Sequence, residues 1–586
     1  MFRFLLCLTL PLLLHSFSHE IGLELSEHCA LAHGFLALCH SPNYNFKGEP
    51  YYESAHHPEE SDVQDLLCVF PSQQVADRHS KMGINKIEEL RKIHKKRGKA
   101  ARRGGKGEKS KEISKPQTNQ ENREGRGKSS SNLPSLISDV EMQLLQAIRK
   151  LTCQPGLEHS LSDNIVGRPY ADAMRKIYEK YPDDAEVSYC FAESLMVLNA
   201  WQLYEFPSGK AVSPDANESR DVLEKALRVH SDHAGLCHMY VHLSEMSACP
   251  EKALSACIPL RNKFPHAGHL IHMPTHIDVL VGDYESCVQY NYKAIEADER
   301  SMQTSPGTAG IESFYFGYIV HNYHMAVYGA ILGGFERKAM ESAQKLTGIL
   351  QEEIFEKFPD LIAYLESYSA LDIHVFIRFG RWQELLELPP PKNQKIMLFR
   401  AASIKYGRAL AYASLGKTEE ARRELHVFDC LRGDPETKYR ILHNNSVQDL
   451  LAVDSVMARG EIAYREGNYD NAFDLLRKAV MMQDNLNYDE PWGKMQPIRH
   501  ALGGLLLEKG QIEESENVFR KDLKFHPLNP WALTGLIETL KRKTGGCCNP
   551  TEEIIELETQ LRKQRRIKLA DFDVQVACAC CTPNYC

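Results

Sequence analysis

From Leu133 to about residue 545, apolar positions recur three and four apart and almost nowhere alternate. That period predicts helix after helix with no convincing strand run. Tyr170–Tyr181 and Ala185–Asn199 are two such stretches, separated by Tyr-Pro-Asp-Asp, which suits a helix stop followed by a new N-terminus. Small residues recur at matched places along the series. Gly460 and Ala472 frame Asn468–Val480; Gly503, Ser515 and Pro527 frame Gly510–Pro527. Thr275 and Cys287 do the same around Gly282–Glu299, and Ala253 and Pro265 around Pro250–Pro265, with weaker copies through Ala339 and Ala421. A small side chain lets the two helices of a pair approach closely. One pair cannot bury its apolar face alone, so pairs stack. The fold expected is all-α: an α-solenoid of helix pairs across residues 133–545.

The remaining segments differ in character. Residues 1–18 carry Arg3, an apolar run Phe4–Leu14 and the small residues Ser16 and Ser18. That is the layout of a secretory signal peptide, with a short buried helix as the alternative. Residues 19–94 read as an N-terminal helical segment. Residues 95–132 hold eight basic residues against one acidic in Lys95–Lys109 and almost nothing apolar thereafter, so a disordered basic insert is expected. Such an insert serves as a solvated linker, a polyanion-binding patch or a processing site. Residues 546–586 read as a helix, Glu552–Leu569, and a Cys-rich tail. Cys547, Cys548, Cys578, Cys580, Cys581 and Cys586 suit disulfides, a thiolate metal site or free thiols.

Composition narrows the function classes. A net charge of −8 over 586 residues argues against a general nucleic-acid binder. No run of 18 apolar residues occurs, which leaves out an ordinary transmembrane helix. The Asn217 and Asn444 sequons together with the leader permit a secretory or extracellular protein, with a cytoplasmic one as the alternative. No Gly-x-Ser-x-Gly, Walker loop or HExxH is present, so the common hydrolase and NTPase signatures are missing.

The chemistry concentrates in histidine. His238 and His272 lie 34 residues apart, as do His242 and His276, and 34 residues is the period of a tetratricopeptide (TPR) helix pair. Spacings of three and four put His269, His272 and His276 on one helix face, and His238 and His242 on another. Pro274 falls in the middle of the first of these and should kink it. Trp201 and Tyr204 read as packing residues, with contact to the histidine groove as the alternative. Tyr488-Asp-Glu-Pro-Trp492 reads as a loop over the histidine face, or as a helix start at Pro491.

The segment Ala267–Ile277, AGHLIHMPTHI, resembles a recurring group of large TPR-domain proteins that carry an AGHLxHMPSHI-like motif, with Thr275 here where Ser is common. Further resemblances are Ser41–Asn45, Tyr170–Met174, Tyr181–Asp184, Cys237–His242, His321–His324 and Arg499-His500, covering most of 24–545. The basic insert and the leader depart from that pattern. The resemblance implies a TPR-like solenoid with a concave groove lined from the second, fifth, ninth and twelfth positions of each first helix. Counted back from the small residue at position 20, His238, His242 and Glu245 take positions five, nine and twelve. His269, His272 and His276 take two, five and nine; His321 and His324 take two and five; His500 takes five.

Two functions follow as expectations. The first is a scaffold that binds a protein or peptide partner in a groove lined by His238, His242, Glu245, His269, His272, His276, His321, His324 and His500. The alternative is a metal-binding protein, a metal-dependent hydrolase included, in which His238, His242, His269, His272 and His276 hold zinc or another divalent transition metal, with Glu245 or Asp278 as an added carboxylate.

Overall fold

The computed structural model describes residues 139–152, 163–205, 208–304, 310–311, 315–545 and 550–581. The leader, the segment 19–94, the basic insert and Cys547, Cys548 and Cys586 lie outside them.

The described chain is an α-solenoid. Asp139–Thr152 packs on Asp163–Lys180, and Ala185–Met196 on Pro214–Leu227. Ala234–Glu245 is followed by Leu254–Lys263, and the broken helix Gly268–His272/Pro274–Val281 by Tyr284–Thr304. Phe316–Gly333 pairs with Glu336–Ile349, Leu398–Ser414 with Thr418–Arg432, and Val447–Arg465 with Tyr469–Asp484. Ile498–Glu508 pairs with Ile512–Phe525, and Pro530–Lys543 with Glu552–Arg565.

The restart after Tyr-Pro-Asp-Asp falls where the sequence puts it: the Asp184 carboxylate accepts from the Val187 amide at 3.0 Å and caps the helix Ala185–Met196. The small positions do the expected work. A Cβ on Gly460 would sit 2.9 Å from Leu476, and one on Gly503 would sit 2.7 Å from the Phe519 ring. Ser515, fully buried, donates across the same pair to the Gly503 carbonyl at 2.9 Å.

Two short antiparallel pairs depart from the all-helix expectation: Tyr204–Glu205 with Lys210–Ala211, and Ile441–Leu442 with Asn445–Ser446. Each is two residues per strand, too short to leave a period in the sequence. Tyr204 is buried among apolar neighbours, as a packing residue should be.

The stack also curls back on itself. The Tyr284 hydroxyl donates to the Pro527 carbonyl at 2.8 Å, and the Trp531 indole to the Ile331 carbonyl at 3.0 Å. The tail follows: a Cβ on Gly504 would lie 2.5 Å from Cys581 Sγ, so the tail seats against the last pairs. Cys578, Cys580 and Cys581 are free thiols. Apolar packing divides into two main clusters, one running from Leu144 to Ile277 and the other from Val279 to Cys580.

Filling the Gly503 contact tests the pair packing. Gly503→Val is expected to cost about 1–3 kcal/mol through overpacking against Phe519. The urea midpoint should fall accordingly, and Gly467→Ala, at a left-handed glycine with open space around it, should not act by this route.

Candidate functional site

The seam between the two apolar clusters is filled by imidazoles. Ala234–Glu245 supplies His238, His242 and Glu245; Gly268–His272 and Pro274–Val281 supply His269, His272 and His276; Phe316–Gly333 supplies His321 and His324.

The AGHL segment is shaped for this position. A Cβ on Gly268 would fall 2.0 Å from Asp298 Oδ1, so only glycine lets the helix start against that carboxylate. Asp298 itself accepts from the Tyr315 hydroxyl at 2.8 Å and from Asn322 Nδ2 at 2.6 Å, tying the helix start to the next pair. Pro274 divides the helix as expected, ending one segment at His272 and opening the next.

The rings form one contiguous cluster. His238 lies 4.8 Å from His242 and 5.0 Å from His269, centre to centre. His272 lies 4.8 Å from His276 and 4.4 Å from His321, and His242 lies 5.6 Å from His276. Trp201 is edge-on to His242 at 6.3 Å, so this packing residue also walls the cluster.

The open hollow expected from the sequence is corrected: every one of these rings is buried, none more than 8 % exposed. Later segments of the chain lie against the rings. The turn His443-Asn444 of the second hairpin lays the His443 ring 4.7 Å from His321 and 5.6 Å from His324, with His443 at φ +50°. The loop before Ile498 brings Asp489 and Glu490 onto the rings, and the hairpin holds it there. Asn445 Nδ2 donates to Asp489 Oδ2 at 3.0 Å, and Asn444 Nδ2 donates to the Tyr488 carbonyl at 3.1 Å. The Asn444 sequon amide is thus taken up in the fold. Pro491 does not start a helix; that helix begins at Ile498.

Two further expectations are corrected. His500 belongs to a separate polar knot, between Asp522 at 2.8 Å and Arg378 at 3.0 Å. Asp278 turns away to pair with Arg261.

Orientation of the rings decides what they can do. His272 Nδ1 is 2.6 Å from Asn291 Oδ1, and Asn291 Nδ2 donates to the Cys287 carbonyl at 2.8 Å. The second bond fixes the amide, so its oxygen faces His272 and the ring carries its proton on Nδ1. Glu245 Oε2 sits 2.6 Å from His276 Nδ1, and Glu245 Oε1 sits 2.7 Å from His242 Nδ1. Glu490 Oε2 approaches His276 Nδ1 to 3.4 Å.

With their Nδ1 atoms engaged, His272 and His276 present Nε2 to each other at 2.8 Å, and His321 Nε2 stands 3.3 Å from His276 Nε2. A proton on one Nε2 makes such a pair a hydrogen bond, and a cation held between the nitrogens would take the place of that proton. Two nitrogens on a tetrahedral zinc at 2.0–2.1 Å would be about 3.3 Å apart.

Burial lowers the pKa of His238 and of His276 to about 3 and also lowers those of His242, His269, His272 and His321, so the rings are neutral, as ligands must be. Burial pushes the Glu245 carboxyl up to about 8. Burial and the charge of Glu245 raise Glu490 well above the ordinary range.

Sequence reasoning missed His443 and Asn291, and it placed Asp489 and Glu490 in a loop over the histidine face without giving either a role. Asn291, fully buried in the middle of Tyr284–Thr304, had a signal, because asparagine is a poor mid-helix residue. His443 had none.

Fold and site together define a helical-repeat protein with a buried imidazole cluster. No family model and no curated protein sequence matches the chain. Solved structures to which it is similar include a human IFIT1 dimer with m7Gppp-AAAA, at TM-score 0.28 and 13% identity over 68% of this chain and 77% of that one. Another is a human IFIT1 dimer with PPP-AAAA, at TM-score 0.25 and 14% identity over 73% of each chain. The P58(IPK) TPR domain aligns at TM-score 0.16 and 13% identity over 73% and 98%. At these scores the repeat architecture rests on this chain's own helix pairs. Among the described residues no helix is long and apolar enough to cross a membrane.

Removing the Asn291 acceptor should expose how tightly His272 is held. Asn291→Leu leaves a buried imidazole N–H without a partner, an expected loss of about 1–3 kcal/mol by urea denaturation.

Proposed function

We propose that this chain is a metal-binding helical-repeat protein whose buried rings hold a divalent transition metal of the zinc type. The observation that carries the reading is the geometry of His272, His276 and His321. Three Nε2 atoms converge, while Asn291 and Glu245 hold the opposite nitrogens of two of the rings. Metal-ligating histidines are oriented in this way, with the far N–H given to a carboxylate or carbonyl. His321 replaces His269 in the group with His272 and His276, and His443 and Glu490 join the surroundings.

Three nitrogen donors leave one tetrahedral position for water or substrate, the arrangement of hydrolytic zinc centres. The buried carboxyls suit proton traffic at that position. The scaffold reading, in which these imidazoles grip a peptide in an open groove, has less support, because the chain's own hairpin and loop occupy that side of the stack.

Protein purified without a histidine tag should carry at least one equivalent of metal per chain by elemental analysis. His272→Ala with His321→Ala should lose one equivalent while keeping a helical circular dichroism spectrum, and a metal-free wild type would sink the proposal.

Uptake should also depend on pH. Glu245, protonated up to about pH 8 in the metal-free chain, must give up its proton to accept from both rings. Affinity should therefore rise from pH 6 to 8, with proton release seen by calorimetry in buffers of different ionisation enthalpy; uptake without proton release would contradict this coupling.

A further inference from the structure

The rings of the cluster repeat as a unit. His272 and His276, positions five and nine of one repeat, meet His321, position two of the next. One repeat earlier, His238 and His242 again take positions five and nine, and His269 again takes position two of the repeat that follows. The two sets share no residue. The stacking step that builds the first set therefore builds the second.

Resting on the metal-binding reading above, we propose that the chain holds two divalent transition-metal ions, the second on His238, His242 and His269. Donor atoms of these three rings lie within 4.8 Å of one another. His238 Nε2 and His269 Nε2 are 3.1 Å apart, close to the edge of about 3.3 Å that two nitrogens span on a tetrahedral zinc. The His242 ring turns its Nδ1 to Glu245 Oε1 at 2.7 Å, which leaves Nε2 as its donor, as in His276. The rings are buried, and among the described residues the Nδ1 atoms of His238 and His269, on the side away from these donors, have no hydrogen-bond partner.

Glu245 is the positioning residue common to both sites. One oxygen orients His242 of the second set, the other His276 of the first. The series ends with the next repeat: His324 takes position five, but position nine is Tyr328.

The test counts ions. Full-length untagged protein is stripped with a chelator and titrated with Co²⁺ alone, read by visible d–d absorption and by elemental analysis after gel filtration. Two equivalents per chain are expected. His238→Ala with His269→Ala should bind one, and His272→Ala with His321→Ala should also bind one, with a distinct spectrum. Glu245→Gln should weaken both sites by about 10- to 100-fold.

One equivalent in the wild type, unchanged by His238→Ala and His269→Ala, would overturn the second site and leave the single-site reading standing. No bound cobalt in the wild type would overturn both. The wild-type stoichiometry decides the matter even where a variant misfolds, and His238→Gln with His269→Gln gives a gentler version of the same test.

Discussion

One carboxylate shared by two imidazoles, deep inside a helical stack, is the constraint on which the rest of this structure turns. Glu245 reaches His242 on its own helix and His276 on the next, at 2.7 and 2.6 Å. Out of water such contacts are strong when made and costly when broken. They tie one helix to its neighbour and set the direction in which the His242 and His276 rings point. Asn291 does the same for His272 from the second helix of the pair.

The location of the cluster follows from how repeats pack. A solenoid buries apolar faces between successive pairs, and here that burial falls into two main clusters with smaller ones beside them. The first main cluster ends at Ile277 and the second begins at Val279. The histidines sit between them. A core interrupted by so many polar rings gives up hydrophobic stabilisation, and the buried atoms that lack partners among the described residues, such as His321 Nδ1 and His269 Nδ1, add to the cost.

Much of this was legible in the sequence, for a definite reason. Repeats place equivalent residues at fixed offsets, so Gly460 with Ala472, Gly503 with Ser515, and the two histidine pairs 34 residues apart announce themselves without any knowledge of the fold. The face each ring occupies follows from the same register. Whether that face stays open does not, because closure depends on segments outside the register. The hairpin turn at His443 and the loop at Asp489-Glu490 arrive from later in the chain and obey no repeat period. A two-residue turn with a histidine at positive φ leaves no pattern to read. His500 shares the register position of His272 but lies in a different network, because its neighbours there are Asp522 and Arg378.

That late arrival shapes how the molecule must be made. Helix pairs of a solenoid need only their neighbours and can form as they leave the ribosome. The rings on Ala234–Glu245 and on the broken helix that follows emerge well before His443, Asp489 and Glu490 have been synthesised. For that interval the His443 turn and the Asp489-Glu490 loop are not yet there to cover the imidazoles. Closure by the later segments then works as a latch, so under the metal-binding reading proposed above, loading before the latch shuts and loading after it would be different kinetic problems.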